Sequence, residues 1–315
     1  SVVGDDIYFR KTTTPGDISA WGSAVTISLG DADQPCYPKP AYIGDRLYVF
    51  FRNTTNQAFI YSDDDGATWS SVIRFITGST GWRPYVNYVT SPGRIDFIST
   101  DDNPNPTGSY SNLYHFYLDG TTLKTSDGVT ITTLSALEAS PTTGITTGQM
   151  TKFYDHSLDG DAWCYDVQIG EDGHPRVVFA TFGVGDANLN DHHYYYGRWT
   201  GSTWFSQPMT YAGPSPYEDP ASGEPRYSGG LGILPSDTNV VYLSRWKNYQ
   251  MEIERWVTDD GGLTWESENI TEHSREKQFR PQSPNGHFDG CPEVVWLAGW
   301  YAKFTRYHTR IVYHQ

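Results

Sequence analysis

Short runs in which apolar and polar residues alternate recur along the whole 315-residue chain. Alternation with period two marks a half-buried β-strand. Asp6–Lys11 (DIYFRK) and Trp21–Ile27 form a first hairpin around a turn at Thr12–Ser19. After the proline-bracketed segment Pro35–Pro40 come Arg46–Arg52 (RLYVFFR), Ala58–Tyr61 and Trp69–Arg74. A second set is Arg83–Thr90, Arg94–Ser99, Asn112–Leu118 and Thr121–Thr125, and a third is Ala162–Ile169, Pro175–Thr181, His193–Trp199 and Thr203–Pro208. The fourth is Tyr227–Leu234, Asn239–Trp246, Glu252–Thr258 and Thr264–Ile270. Beyond a loop containing Arg280-Pro281, Glu293–Ala298 and Thr309–His314 have no hairpin of their own. The N-terminal hairpin has no strands before it, so the two halves together predict one closing sheet. Ser126–Gly160, rich in Thr, Ser and Gly, reads as a strand end and an excursion. No stretch carries a 3.6-residue apolar period, so the chain is predicted to be all-β, a single domain over 1–315 made of four-stranded sheets. Counting hairpins gives five sheets, whereas dividing the length by about 45 residues per repeat gives seven; the long loops favour five.

One turn chemistry occurs twice. Ser62, Asp64, Gly66, Thr68 and Trp69 have the form Ser-x-Asp-x-Gly-x-Thr-Trp, and Thr258, Asp260, Gly262, Thr264 and Trp265 repeat it. A short polar side chain that bonds nearby N–H groups, a Gly at positive φ and a Trp that covers the core make a locked hairpin. A degenerate version is visible at Asp17 and Trp21. The pattern resembles the Asp-box, or BNR, repeat of sialidase-like β-propellers. The resemblance implies a single β-propeller of four-stranded blades, about five of them, with the N-terminal hairpin closing the last blade.

Charge narrows the partners. The formal net charge is −15, from 37 acidic and 22 basic residues. An acidic chain does not gather phosphates, which argues against nucleic acid or an anionic membrane as partner. A local cluster of Arg and His can still bind an acidic polysaccharide. No apolar run approaches the length of a membrane-spanning helix, so no membrane insertion is expected. Eleven Trp and 23 Tyr exceed what strands need, and exposed ones suit sugar stacking. Cys36, Cys164 and Cys291 form an odd set without Cys-x-x-Cys, which implies neither a disulfide framework nor a zinc site. The first residue is Ser1 rather than Met, consistent with a processed, secreted or extracellular protein. No cofactor is required. Asp-rich turns such as Ser62–Asp65 leave room for a structural calcium ion, although the turn motif accounts for them without one.

Further strings occur in order: Arg83-Pro84-Tyr85, Ser99–Pro106 (STDDNPNP), Leu113–Tyr117 (LYHFY), Ala162–Asp166 (AWCYD), Asp172–Phe179 (DGHPRVVF), Tyr194–Trp199 (YYYGRW), Glu224–Gly230 (EPRYSGG), Val240–Arg245 (VVYLSR) and Glu252–Trp256 (EIERW). They resemble the BNR-type propeller group that includes ulvan lyases and related enzymes acting on rhamnose–uronic acid linkages. The resemblance implies a polysaccharide lyase, with His115, Tyr165 and Tyr227 as catalytic candidates. It departs at Asn103, where the lyase pattern has a His, and at Thr181 and Phe182, where a basic residue often stands. A uronate lyase must neutralise the carboxylate, remove the C5 proton and protonate the leaving oxygen. His115 and Tyr165 suit proton transfer. Arg83, Arg226 and Arg245 suit the anion, Asn103 is a neutral donor, and His192 and His193, which follow a Gly/Asn loop, either reach a cleft or sit at a solvated loop tip. A glycoside hydrolase, such as an α-L-rhamnosidase, would need a carboxylate pair instead. Asp101, Asp102, Asp166, Glu218, Asp219 and Glu224 could supply one. A non-catalytic glycan-binding propeller would need neither.

Overall fold

The computed structural model describes residues 6–29, 35–78, 83–103, 111–183, 191–218, 226–286, 290–303 and 305–314. It is an all-β, five-bladed β-propeller of mostly four-stranded antiparallel sheets. The strands are β1 (Asp6–Phe9), β2 (Val25–Ser28), β3 (Pro35–Ile43), β4 (Arg46–Asn53), β5 (Asn56–Ser62), β6 (Ile73–Ile76), β7 (Val86–Ser91), β8 (Arg94–Thr100), β9 (Leu113–Asp119), β10 (Thr122–Thr125), β11 (Thr130–Thr133) and β12 (Thr151–Tyr154). They continue with β13 (Asp161–Ile169), β14 (Pro175–Phe182), β15 (His192–Trp199), β16 (Trp204–Gly213), β17 (Leu231–Leu234), β18 (Asp237–Lys247), β19 (Gln250–Val257), β20 (Glu266–Asn269), β21 (Lys277–Gln282), β22 (Val294–Lys303) and β23 (Arg306–His314). The sheets run in sequence order as β3–β6, β13–β16, β17–β20 and the three-stranded β21–β23, with β7–β11 and β12 in a six-stranded sheet. The segment 126–160 holds more than an excursion: β11, two short helices, α1 (Leu134–Ala139) and α2 (His156–Asp159), and β12.

The chain divides into two compact units, one comprising Ser1–Tyr85, Thr90–Ile95 and Phe116–Met150, the other Val86–Val89, Asp96–His115 and Thr151–Gln315. In the first unit, β1 and β2 pair with each other as a two-stranded sheet. The last strands, β21–β23, form a three-stranded sheet of the second unit. The hairpin spends its apolar face locally: Ile7 and Ile27 are buried with Val49, Phe51, Ala58 and Ile60 of β4 and β5. Each such side chain contributes on the order of 1.5–3 kcal/mol by leaving water. In the second unit, alternate residues of successive sheets interdigitate, as Val178, Ala180, Tyr194 and Tyr196 do with Leu231, Ile233, Val241 and Leu243.

Both locked turns take the same form. Asp64 accepts from Thr68 N (2.8 Å) and Thr68 Oγ1 (2.6 Å), while Ser62 Oγ accepts from Gly66 N (2.8 Å). Asp260 accepts from Thr264 N (2.9 Å) and Thr264 Oγ1 (2.6 Å), and Thr258 Oγ1 from Gly262 N (2.8 Å). These bonds hold both carboxyls below the usual range, at about 2, with the Thr68 and Thr264 side chains as the largest cause. The glycine is required twice over. Gly66 has φ 87° and a Cβ there would meet Phe9 Cε1 at 2.4 Å; Gly262 has φ 96° and would meet Tyr196 Cδ1 at 2.5 Å. The calcium-like turn at Ser62–Asp65 is thus closed by its own hydrogen bonds.

Two strands were masked in the sequence by proline. The segment 35–40 is the start of β3, and the loop holding Arg280-Pro281 is β21. Proline lacks the N–H that a ladder needs, so it demotes a strand on inspection. Here Pro38 sits in a register shift between Cys36 and Lys39 of β3 and Pro281 in one between Phe279 and Gln282 of β21, where no ladder bond is lost, while Pro35 and Pro40 stay in register opposite Asn53 and Val49.

Candidate functional site

Two bulges in the second unit turn side chains toward one point. In β13 the register slips between Cys164 and Asp166, leaving Tyr165 unopposed by β14. In β21 the slip leaves Arg280 and Pro281 unopposed by β22, and Arg280 is held at φ 59°. An extra residue bends a strand and re-aims its side chain. A left-handed non-glycine residue also carries strain of about 1–2 kcal/mol. Between the two strands runs the Ser228-Gly229-Gly230 approach to β17. Arg280 N donates to Gly229 O at 2.6 Å. A Cβ on Gly230 would lie 3.2 Å from Arg280 Cα and 3.5 Å from Tyr165 Cε1, and one on Gly229 would lie 2.5 Å from Ser244 Oγ. The paired glycines therefore let three backbones come together.

Arg280 enters a cage of aromatic rings. Its Cζ lies 4.8 Å from the Tyr227 ring centroid and 5.8 Å from that of Tyr165. Tyr217 stacks on Tyr227 with centroids 5.4 Å apart, Trp163 meets Tyr227 at 4.7 Å, and Tyr301 closes on Tyr217 at 5.2 Å. Burial works to lower the guanidinium pKa, and the phenols of Tyr165, Tyr227, Tyr217 and Tyr301 outweigh it, so the pKa stands above its ordinary value and Arg280 stays charged. Among the described residues no carboxylate pairs with this guanidinium. A partly buried cation without a counter-ion is costly. A planar guanidinium edge also suits a carboxylate ligand. Beside it, Tyr165 Oη accepts hydrogen bonds from Ser228 Oγ (2.8 Å) and Ser228 N (3.3 Å). At the rim, Trp300, 43% exposed, donates to Glu218 Oε2 at 2.6 Å, and Lys277 pairs with Glu218 Oε1 at 2.9 Å.

Residues 4–211, more than half the chain, match the family described as BNR repeat-containing family member. The chain belongs to that family. No curated protein matches it in sequence. Solved structures share the fold at low identity. The alpha-L-arabinanase of Penicillium chrysogenum complexed with arabinobiose is 13% identical, with 98% of this chain and 84% of that one covered and a TM-score of 0.48. Polysaccharide lyase Uly1 is 12% identical, with 91% and 58% covered and a TM-score of 0.47. A puromycin-hydrolyzing peptidase of Mycobacterium tuberculosis is 11% identical, with 99% and 44% covered and a TM-score of 0.50. These likenesses concern the fold alone.

The BNR chain gathers only part of the residues singled out from its sequence. Tyr165 and Tyr227 meet at Arg280. His115 does not open onto a cleft: it is fully buried, its Nε2 lies 3.0 Å from the equally buried Asp96 Oδ1, and its ring packs edge-on to Trp204. Arg226 is buried and paired with Asp161 at 2.6 Å. Arg245 grips Glu254 through Nε and Nη2, both at 2.9 Å. Neither arginine is available to an anion without breaking an internal pair. His192 is buried with Nδ1 3.1 Å from Gly213 O, and burial lowers its pKa to about 4. His193 is partly exposed, 3.8 Å from Asp159 and 3.9 Å from Asp191. Thr181 bonds Asp159 at 3.2 Å in the core. Asn103 is half-buried, its N–H on Asp102 at 2.6 Å. Arg83 is exposed and belongs to the first unit.

The described carboxylates of the hydrolase alternative, Asp101, Asp102, Asp166 and Glu218, are engaged. Asp101 accepts from Asn112 N (3.0 Å) and Nδ2 (2.7 Å), and burial raises its pKa. Asp166 accepts from Val167 N (2.8 Å) and Ile233 N (2.9 Å). Asp102 holds Asn103, and Glu218 holds Lys277 and Trp300. Asp219 and Glu224 lie outside the described residues, as do Pro104, Asn105 and Pro106 of the polar loop. Arg280, Tyr217, Tyr301 and Ser228 were missed. The available signal was the Arg-Pro pair of β21, which repeats the Tyr37-Pro38 pair of β3.

Proposed function

We propose that this BNR propeller is a polysaccharide lyase that cleaves a uronic-acid-containing glycan by β-elimination at the Arg280 cage. The observation that carries the proposal is a charged guanidinium without a carboxylate partner among the described residues, enclosed by four tyrosines. The uronate carboxylate docks on Arg280, which draws charge away from C5 and makes its proton removable. Tyr165 Oη, on which the two Ser228 donors converge, is the base that takes the C5 proton. The C4–O bond breaks as the C4–C5 double bond forms, and Tyr227 gives its phenolic proton to the leaving oxygen. Both tyrosines are reset by exchange with solvent. Tyr217, Tyr301 and Trp300 offer ring faces to neighbouring sugars. His115, locked on Asp96, takes no part.

A rhamnose–glucuronate polymer of the ulvan type is the first substrate to test, because the sequence strings resemble enzymes of that group. A secreted or extracellular location goes with a polymeric substrate. The experiment incubates the protein with this polymer and with other uronate polysaccharides. Ultraviolet absorbance of the unsaturated uronate and new reducing ends are followed together. The proposal expects both to rise, and Tyr165→Phe to abolish both. Reducing ends without absorbance would identify a hydrolase, and retention on an immobilised glycan without either signal would identify a binder.

A further inference from the structure

The first unit contains a second cation held in the same way, on different residues. Arg52 in β4 is only 9% exposed, and no acidic residue pairs with it among the described residues. Its Nη1 donates to Tyr85 Oη at 2.9 Å, while its buried Nε has no hydrogen-bond partner among the described residues. Its Cζ lies 5.0 Å from the Tyr37 ring centroid and 5.3 Å from that of Tyr85. Burial works to lower its guanidinium pKa, and Tyr85, the Cys36 side chain and Tyr37 outweigh it, so the pKa stands above its ordinary value.

Tyr37 is the gate to this group. It sits in the β3 register shift at φ 58°, directly before Pro38, and is 49% exposed. Such backbone strain, about 1–2 kcal/mol, persists where the surroundings hold it. Here it lays a half-exposed ring over a buried charge, and Tyr85 meets that ring at 6.2 Å and 42°. The orphaned Nε–H is the decisive atom. A guanidinium receives a carboxylate through two parallel N–H bonds, and Nε with Nη2 forms one edge that can make them. A buried donor without an acceptor costs about 1–3 kcal/mol, which a ligand oxygen would recover.

We infer that Arg52, Tyr37 and Tyr85 form a second acidic-sugar site, in which the Arg52 guanidinium takes the carboxylate of a uronic acid residue and Tyr37 swings out to stack on its ring. The site does not depend on the cleavage chemistry at Arg280. It would hold a chain of alternating neutral and acidic sugars whether or not that chain is cut.

The test is a titration of protein labelled with ¹⁵N-arginine, following the Arg52 Nε–H resonance, assigned from its loss in Arg52→Lys. Free glucuronate is expected to shift this resonance saturably. Glucose is expected to leave it unmoved, and Arg280→Gly to leave the shift intact. Tyr37→Ala, at an exposed position that keeps the fold, should weaken the apparent affinity about tenfold. A resonance that does not respond to glucuronate overturns the inference. So does an equal response to glucose 6-sulfate, which would mark a site for any small anion, or a response that disappears with Arg280→Gly. Failure of the lyase assay leaves these outcomes unchanged, so the two proposals fail separately.

Discussion

Replacing Arg280 by glycine should leave the protein as stable as before, or more so, while removing its affinity for acidic glycan. Arg280 occupies φ 59°, and relief of left-handed strain is worth about 1–2 kcal/mol. Against this stand the added chain entropy of glycine, about 0.5–1 kcal/mol, and the lost attraction to the Tyr227 and Tyr165 rings, about 1 kcal/mol. These three contributions nearly cancel. The backbone bond from position 280 to Gly229 O survives the substitution. What decides the sign is the desolvation of a guanidinium that no carboxylate among the described residues neutralises, a cost of order several kcal/mol that the variant no longer carries. A net gain of about 1 kcal/mol would raise the melting midpoint of a chain this long by about 2 °C. Denaturant titration measures the same gain through its midpoint at constant slope. Affinity for an acidic oligosaccharide, read by calorimetry, should fall roughly ten- to a hundredfold, the worth of a charge-assisted pair. A loss of about 3 kcal/mol or more of stability on making Arg280→Gly would show the cation to be a structural tie, and the reasoning behind the site would then fail.

Other outcomes follow from the same geometry. Tyr165→Phe should lower kcat by roughly 10²–10⁴ with a much smaller change in KM, because the ring remains beside Arg280 and only the proton-carrying oxygen is gone; steady-state kinetics on a uronate polymer measures the split. Asp64 and Asp260 have folded pKa values of about 2 against an ordinary 3.8. Their contribution is therefore complete above about pH 4 and is lost as pH falls through 2, so Asp260→Asn should raise the pH midpoint of acid unfolding. His192, lowered from 6.5 to about 4, is neutral in the folded protein across a window where the unfolded chain is protonated. Stability should rise with pH between 4 and 6.5, with a slope from this group of up to about 1.4 kcal/mol per pH unit. His192→Gln should flatten that slope in urea titrations made across the window.

Architecture was legible in the chain because it is written in local patterns. Period-two alternation located most strands, and two copies of the Asp-box turn identified the propeller, each with the glycine its packing demands. The site was half legible. Tyr165 and Tyr227 lie in strings that resemble relatives. Arg280 was hidden because its proline makes a strand look like a loop, and only the three-dimensional register shows that the bulge spends no ladder bond. The internal pairing of His115 and Arg245 was illegible for a different reason. Whether a polar residue faces solvent or an internal partner depends on what the neighbouring strand presents, here Asp96 and Glu254, and no spacing in the sequence encodes that pairing.

The most direct measurement of the central claim is the time course of ultraviolet absorbance when the protein, Arg280→Gly and Tyr165→Phe are each incubated with a rhamnose–glucuronate polymer. A lyase built on the Arg280 cage gives a rise with the unaltered protein and none with either variant. A rise that survives both substitutions would place the chemistry elsewhere in the molecule. Chain cleavage with no rise at all would replace elimination by hydrolysis.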